Sequence, residues 1–145
     1  MSQKKSSDNK ALEDLRVLIL DDDSFMCDVL VETLHQLGVH KIVARKDAPE
    51  TLEFIFAQNS ADAIDVLLCD LHMPGMDGIE FISELANRAA GVDLNLGLII
   101  VSGADNLIIR MANLLADARG VNVFGVLKKP VARNDLLKEL EKALS

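Results

Sequence analysis

The feature that most constrains this chain is an alternation: five short, largely apolar runs, each followed by a stretch of helical periodicity. The runs are Val17–Leu20, Lys41–Ala44, Ile64–Cys69, Leu96–Val101 and Val123–Leu127. Short continuous apolar runs are what strands buried on both faces require. After the first run, Asp23 or Ser24 can cap a helix with Met26, Leu30, Thr33 and Leu37 on its inner face, ended by Gly38. Pro49 suits the first turn of a second helix, with Ala48, Leu52, Ile55 and Phe56 inward. Ile79, Ile82, Leu85, Ala86 and Ala89 mark a third helix. Residues 106–118 mark a fourth, apolar nearly all round, with Ile108, Met111, Leu115 and Ala118 as one stripe and Leu107 and Leu114 left over for a partner. Leu136, Leu137, Leu140 and Leu144 mark the last. Such alternation implies an α/β doubly wound (βα)5 fold, a parallel sheet covered on both faces. Right-handed crossovers leave few strand orders.

A chain of 145 residues makes one domain and can bury its own core. Residues 1–14 read as a flexible polar tail and lead-in, and 15–145 as the folded unit. Lys and Arg total 15 against 23 Asp and Glu, a net charge of −8 that argues against direct binding to nucleic acid or an anionic membrane. Aromatic residues are 3% of the chain and all are Phe, so a base-stacking platform is not expected. Cys27 and Cys69 form neither a disulfide framework nor a CxxC zinc site, and read as buried thiols in a reducing compartment. No apolar run reaches the length of about 18 residues needed to span a membrane, and the polar start lacks a signal-peptide core. A cytoplasmic location is the expectation.

Chemistry is expected beyond the carboxyl ends of the strands. Asp21, Asp22 and Asp23 stand there after the first strand, Asp70 after the third, Ser102 after the fourth and Lys129 after the fifth. Neighbouring first and third strands would bring Asp21, Asp22 and Asp70 together. Each pair of carboxylates at about 4 Å repels by about 4 kcal/mol at an effective dielectric of 20. A hard divalent cation removes that cost, and Mg²⁺ takes one or two carboxylates together with phosphate oxygens. Asp70 could then attack phosphorus, since a carboxylate needs no deprotonation at neutral pH. Lys129 would neutralise charge and Ser102 would donate a hydrogen bond. Blander readings stand beside these. The Asp triplet alone makes a helix cap and a solvated acidic turn. Ser102 alone is a turn hydroxyl, Asp77 a turn residue, and the His72 imidazole a solvent-facing group.

Four segments carry a family resemblance: Val17-Leu-Ile-Leu-Asp-Asp-Asp-Ser24, Leu67-Leu-Cys-Asp-Leu-His-Met-Pro-Gly-Met-Asp-Gly78, Ile100-Val-Ser-Gly103 and Leu127-Lys-Lys-Pro130. In order and at the expected strand ends, they resemble the receiver domain of bacterial response regulators over about residues 15–144. The resemblance implies a flavodoxin-like, CheY-like sheet in the order 2-1-3-4-5. It implies Asp70 as phosphoacceptor, Asp22 as direct ligand of Mg²⁺ or Mn²⁺, Asp21 acting through metal-bound water, and the His72 backbone carbonyl as a further ligand. It implies Lys129 as the phosphate-pairing lysine, Ser102 as the switch hydroxyl, and a cis Lys129–Pro130 peptide. The implied partners are a histidine kinase or phosphotransfer protein and a downstream protein or output domain, with a homodimer through the helix 4/strand 5/helix 5 face. The implied chemistry is self-catalysed phosphoryl transfer and autodephosphorylation rather than classical enzyme turnover.

One position departs from the family pattern. Receivers often place Tyr or Phe three residues before the lysine, where this chain has Val126. Phe124, two residues earlier, is expected on the same face of the strand, with substitution for that aromatic left open. A narrower resemblance concerns Ser102-Gly-Ala-Asp-Asn106 and Arg119-Gly-Val-Asn-Val-Phe-Gly-Val-Leu-Lys-Lys-Pro130, which look like receivers fused to EAL-type cyclic-di-GMP phosphodiesterase modules. It implies a stand-alone relative or an N-terminal receiver fragment of such a regulator. A phosphorylation-independent binding module is an alternative. So is a phosphatase or flavin-binding protein on the same fold. Asp21-Asp22-Asp23 fits the DxD of an aspartyl-nucleophile phosphatase, but that reading leaves Asp70 unexplained.

Overall fold

A computed structural model describes residues 11–57, 63–71, 78–90, 94–103, 106–118 and 120–144. A 3-10 turn at Leu12–Asp14 leads into β1 (Arg16–Leu20). There follow α1 (Ser24–Gln36), β2 (Lys41–Arg45), α2 (Ala48–Ala57) and β3 (Val66–Asp70). Then come α3 (Gly78–Ala89), β4 (Gly97–Ser102), α4 (Asn106–Ala118), β5 (Asn122–Lys128) and α5 (Arg133–Glu141). The five strands are parallel and lie in the order β2-β1-β3-β4-β5, so the expected architecture and order are both present. β3 and β4 are buried at every position, which is why they read as unbroken apolar runs. β2, on the edge, is only half-buried.

Alternation along the strands divides the core in two. Leu18, Leu20, Leu67, Cys69, Leu98 and Ile100 point to the face covered by α2, α3 and α4, where Leu52, Phe81, Ile82, Leu85 and Ala116 meet them. Val17, Ile19, Val66, Leu68, Ile99 and Val101 point to the opposite face, packed by Leu30 and Leu34 of α1 and Leu136 and Leu140 of α5.

The helical faces differ in part from the expected stripes. On α1 the buried residues are Cys27, Leu30 and Leu34; Met26 and Leu37 only flank them. Thr33 is half-exposed and donates its hydroxyl to the Val29 carbonyl at 2.8 Å. A buried sulfhydryl at Cys27 packs as a small hydrophobe, so the face turns by one residue from the one an aliphatic count selects. Among the described side chains of α4, Ala116 is buried and Leu115 half-buried, while Met111 is 55% and Leu114 69% exposed. Arg110, Asn113 and Asp117 form a polar stripe on this helix, and the small residue Ala116 lies off that stripe, against the sheet. The side chains of Leu107, Ile108 and Ala118 lie outside the described set.

β5 corrects the reading of Phe124. Leu98 pairs with Val123, yet Ile99 pairs with Gly125, so Phe124 is an extra residue in a β-bulge. A bulge shifts the alternation by one. Val126 therefore packs with the α2–α4 face and Phe124 with the α1–α5 face. The Phe124 ring lies against Gly97, where any added Cβ would collide with it. Phe124 and Val126 do not share a face, contrary to the expectation from regular alternation.

Candidate functional site

The acidic residues converge because β1 and β3 are adjacent and in register, with Leu20 beside Cys69. Asp21, just past β1, and Asp70, the last residue of β3, thus emerge side by side at the carboxyl edge. Asp21, Asp22 and Asp70 each offer a carboxylate oxygen, all within 4.8 Å of one another. Asp21 is 1% and Asp70 4% exposed, while Asp22 is open to solvent. Burying two carboxylates this close is unfavourable without a cation.

Lys129 supplies part of that charge. Its Nζ lies 3.3 Å from Asp70 Oδ1 and 3.4 Å from Asp21 Oδ2. Partial burial works to lower the Lys129 pKa, but the Asp70 and Asp21 carboxylates outweigh it and hold the amine above its ordinary value. The Lys129 N–H donates to the Ser102 carbonyl at 3.2 Å, tying the end of β5 to the end of β4. The Lys129–Pro130 peptide is cis. Ser102 is fully buried at the end of β4. Lys128 is exposed, away from the pair.

The loop after β1 is held by its own hydrogen bonds. The Asp21 N–H donates to the Arg45 carbonyl at 3.1 Å, and Asp21 Oδ1 accepts from the Asp23 N–H at 3.0 Å. The Cys27 thiol donates to the Asp21 carbonyl at 3.2 Å. Burial, and after it the nearby Asp21, push the Cys27 pKa up; burial and then Asp70 do the same to Cys69. Lys46, after β2, donates to the Ser24 hydroxyl across the mouth of this loop. Sequence reasoning missed Lys46, since nothing local marks a side chain that reaches 22 residues back along the chain.

After β3 the chain returns at Gly78, whose N–H donates to the Leu71 carbonyl at 3.0 Å. A Cβ at Gly78 would overlap the Leu71 backbone and come within 2.8 Å of the Asp70 carbonyl. His72 and Asp77, between these anchors, lie outside the described residues, and with them the expected carbonyl ligand.

The donor set fits a hard divalent cation. All the offered atoms are oxygen, and the buried Asp21 Oδ2 accepts no hydrogen bond among the described residues. Among the described residues, one lysine faces three carboxylates, which leaves the cluster short of positive charge.

Comparison with known proteins agrees with this geometry. Residues 17–141 match the response regulator receiver domain, and the chain belongs to that family of two-component signalling domains. Receiver domains of this kind bind Mg²⁺ at an acidic pocket and interact with histidine kinases or phosphotransfer proteins and with output domains. The chain is 31% identical over 120 residues to the cyclic di-GMP phosphodiesterase RocR of Pseudomonas aeruginosa, covering 82% of this chain but 29% of that protein. It is 32% identical over 129 residues to the response regulator receiver protein CpdR of Brucella abortus, covering 89% of this chain and 96% of that protein. Among solved structures, the receiver domain of the Arabidopsis thaliana histidine kinase CKI1, complexed with Mg²⁺ and BeF₃⁻, superposes with a TM-score of 0.73 at 25% identity, covering 94% of each chain. No helix among the described residues is long and apolar enough to cross a membrane.

Proposed function

We propose that this receiver unit, residues 15–145, accepts a phosphoryl group on Asp70 from the phosphohistidine of a histidine kinase or phosphotransfer protein. Asp21, Asp22 and Asp70 would hold Mg²⁺ or Mn²⁺, with the His72 carbonyl as a further ligand. When bound, the cation neutralises the acid cluster and the phosphoryl oxygens. The observation that carries the reading is the near-buried Asp70–Asp21 pair, bridged by Lys129 and short of positive charge. An Asp70 carboxylate oxygen attacks phosphorus in line. The N–P bond breaks, and its electron pair stays on the donor imidazole. Lys129, released from Asp70 as the new dianion forms, pairs with it, and the Ser102 hydroxyl donates to one of its oxygens. The receiver unit itself undergoes phosphorylation and autodephosphorylation in the cytoplasm, as a signalling domain rather than a turnover enzyme.

Acetyl phosphate and Mg²⁺ followed by intact-mass measurement test this. One added phosphoryl group is expected, and none in EDTA or in Asp70→Asn. No gain in the wild-type chain with metal binding intact refutes small-molecule phosphorylation and favours a strictly kinase-dependent receiver or a phosphorylation-independent binding module. An added group that survives Asp70→Asn refutes the assignment of Asp70.

The likeness to RocR supports a second reading of the output: the receiver governs an EAL-type cyclic di-GMP phosphodiesterase. The likeness to CpdR over 96% of its length supports a receiver acting through a separate downstream protein. Met111 and Leu114, exposed on α4, offer an apolar surface for either output or for a homodimer through α4, β5 and α5. Phosphodiesterase assays with and without acetyl phosphate, in the natural gene's full product, separate the two readings.

A further inference from the structure

Asp23 has no part in the acid cluster, yet it makes hydrogen bonds in two directions. Its side chain caps α1: Oδ1 accepts from the Phe25 N–H at 3.0 Å and the Met26 N–H at 3.4 Å. Its carbonyl accepts the first helical bond, from the Cys27 N–H at 3.0 Å. Its own N–H points back and donates to Asp21 Oδ1 at 3.0 Å. The peptide between Asp22 and Asp23 is thus fixed from the helix side, and it fixes Asp21 in turn. With Oδ1 engaged, the other oxygen of this buried carboxylate, Oδ2, has no hydrogen bond among the described residues and lies 3.4 Å from Lys129 Nζ. The same constraint sets the backbone from which exposed Asp22 enters the cluster.

We infer that Asp23 is a positioning residue for the metal-binding acids: its side-chain cap orients the N–H that holds Asp21, leaving Asp21 Oδ2 directed into the cluster. This rests on reading the cluster as a divalent-cation site. Groups that orient metal ligands from behind typically change affinity by about 10–100-fold when removed. A cap that only stabilised the helix would leave the affinity of the folded protein unchanged. A fourth carboxylate acting through its charge would be lost equally in any neutral variant.

Mn²⁺ titration of the full chain, read by the electron paramagnetic resonance of the free ion, distinguishes these cases. Circular dichroism confirms that each variant is folded at the titration temperature. Asp23→Ala removes the acceptor, and Asp23→Gly does so with a residue better tolerated at a helix start. Both are expected to weaken Mn²⁺ binding by about 10–100-fold. Asp23→Asn and Asp23→Ser keep an acceptor without the charge and are expected to stay within about threefold of wild type, since both cap as well as Asp. Unchanged affinity in folded Asp23→Ala or Asp23→Gly overturns the inference and leaves Asp23 a cap alone. Equal weakening in Asp23→Asn and Asp23→Ala overturns it in favour of charge. Failure of the wild-type chain to bind Mn²⁺ overturns the cation-site reading and the inference with it. Asp70→Asn, which loses a proposed ligand, marks the weak-binding limit.

Discussion

Replacing Asp70 with Asn should stabilise the cation-free protein, the reverse of the usual result for a buried, ion-paired carboxylate. The Asp70–Lys129 contact at 3.3 Å is an attraction of about 5 kcal/mol at an effective dielectric of 20. Against it stands Asp21, whose offered oxygen lies within 4.8 Å, a repulsion of at least about 3.5 kcal/mol on the same scale. Exposed Asp22 adds about 1 kcal/mol at the dielectric of water. The local charges nearly cancel. What remains is the desolvation of a carboxylate that is 4% exposed, a penalty of several kcal/mol that hydrogen bonds offset in part. Asn keeps the shape and discards that penalty. The expected gain in EDTA is about 1–3 kcal/mol, where truncating one partner of a well-compensated buried pair costs about 3–5 kcal/mol. With Mg²⁺ the order should reverse. A ligand at a hundred times its dissociation constant stabilises by about 2.7 kcal/mol, and only the wild-type site is complete. The assay is urea unfolding followed by far-ultraviolet circular dichroism, because the chain has no Trp or Tyr. Loss of more than about 1 kcal/mol in Asp70→Asn without metal would refute the argument, as would equal Mg²⁺ increments in the two proteins.

Four further outcomes follow from the packing and the titrating groups. Gly78→Ala should lower the urea midpoint by an amount equivalent to about 1–3 kcal/mol, because its Cβ meets the backbone of Leu71 and Asp70 as well as the Leu71 side chain. Phe81→Ala, at a fully buried ring, should cost about 3–5 kcal/mol by the same measurement. Stability should fall as pH rises past about 9: Cys69, Cys27 and Lys129 all have raised pKa values in the fold, so their contributions are intact below the unfolded values and are lost on the alkaline side. A urea midpoint that stays flat from pH 8 to 11 would refute this. Cys69 should also resist alkylation in the native state and react once unfolded.

Where side-chain direction follows directly from strand alternation, the sequence is a sufficient guide. β1, β3 and β4 are buried on both faces, and their carboxyl ends carry Asp21, Asp70 and Ser102 at the edge that strand order brings together. Lys129 follows for the same reason at the end of β5. The helices were less legible. On α1 a sulfur residue takes the inward position, and on α4 a small one does, so counting aliphatic residues misses the contact. Phe81 went unnoticed on α3 because Ile79 and Ile82 describe nearly the same stripe. Asp23 was legible as a cap, but not as the donor to Asp21, since that bond depends on how the chain turns out of β1.

The bulge at Phe124 has consequences for how events at Asp70 reach the α4 surface. In a regular strand, Phe124 and Val126 would share a face, and an aromatic ring could follow Ser102. The extra residue sends Phe124 to the α1–α5 side, where its ring rests on Gly97, while Lys142 bonds its carbonyl and pairs with Glu139 at 2.7 Å. Gly125 lies against the Glu139 carboxylate, which would have to shift to admit a Cβ. This end of β5 is therefore held from the α5 side, where the ring rests on Gly97 and the Phe124 carbonyl accepts from Lys142. The other end is tied to the site itself, through the Lys129 N–H to the Ser102 carbonyl and the Lys129 amine to Asp70 and Asp21. Val126, between the two ends, is too small to sweep a surface. Among the described residues, Lys129 is linked towards α4 by the paired backbones of β4 and β5 and by the packing of Val126.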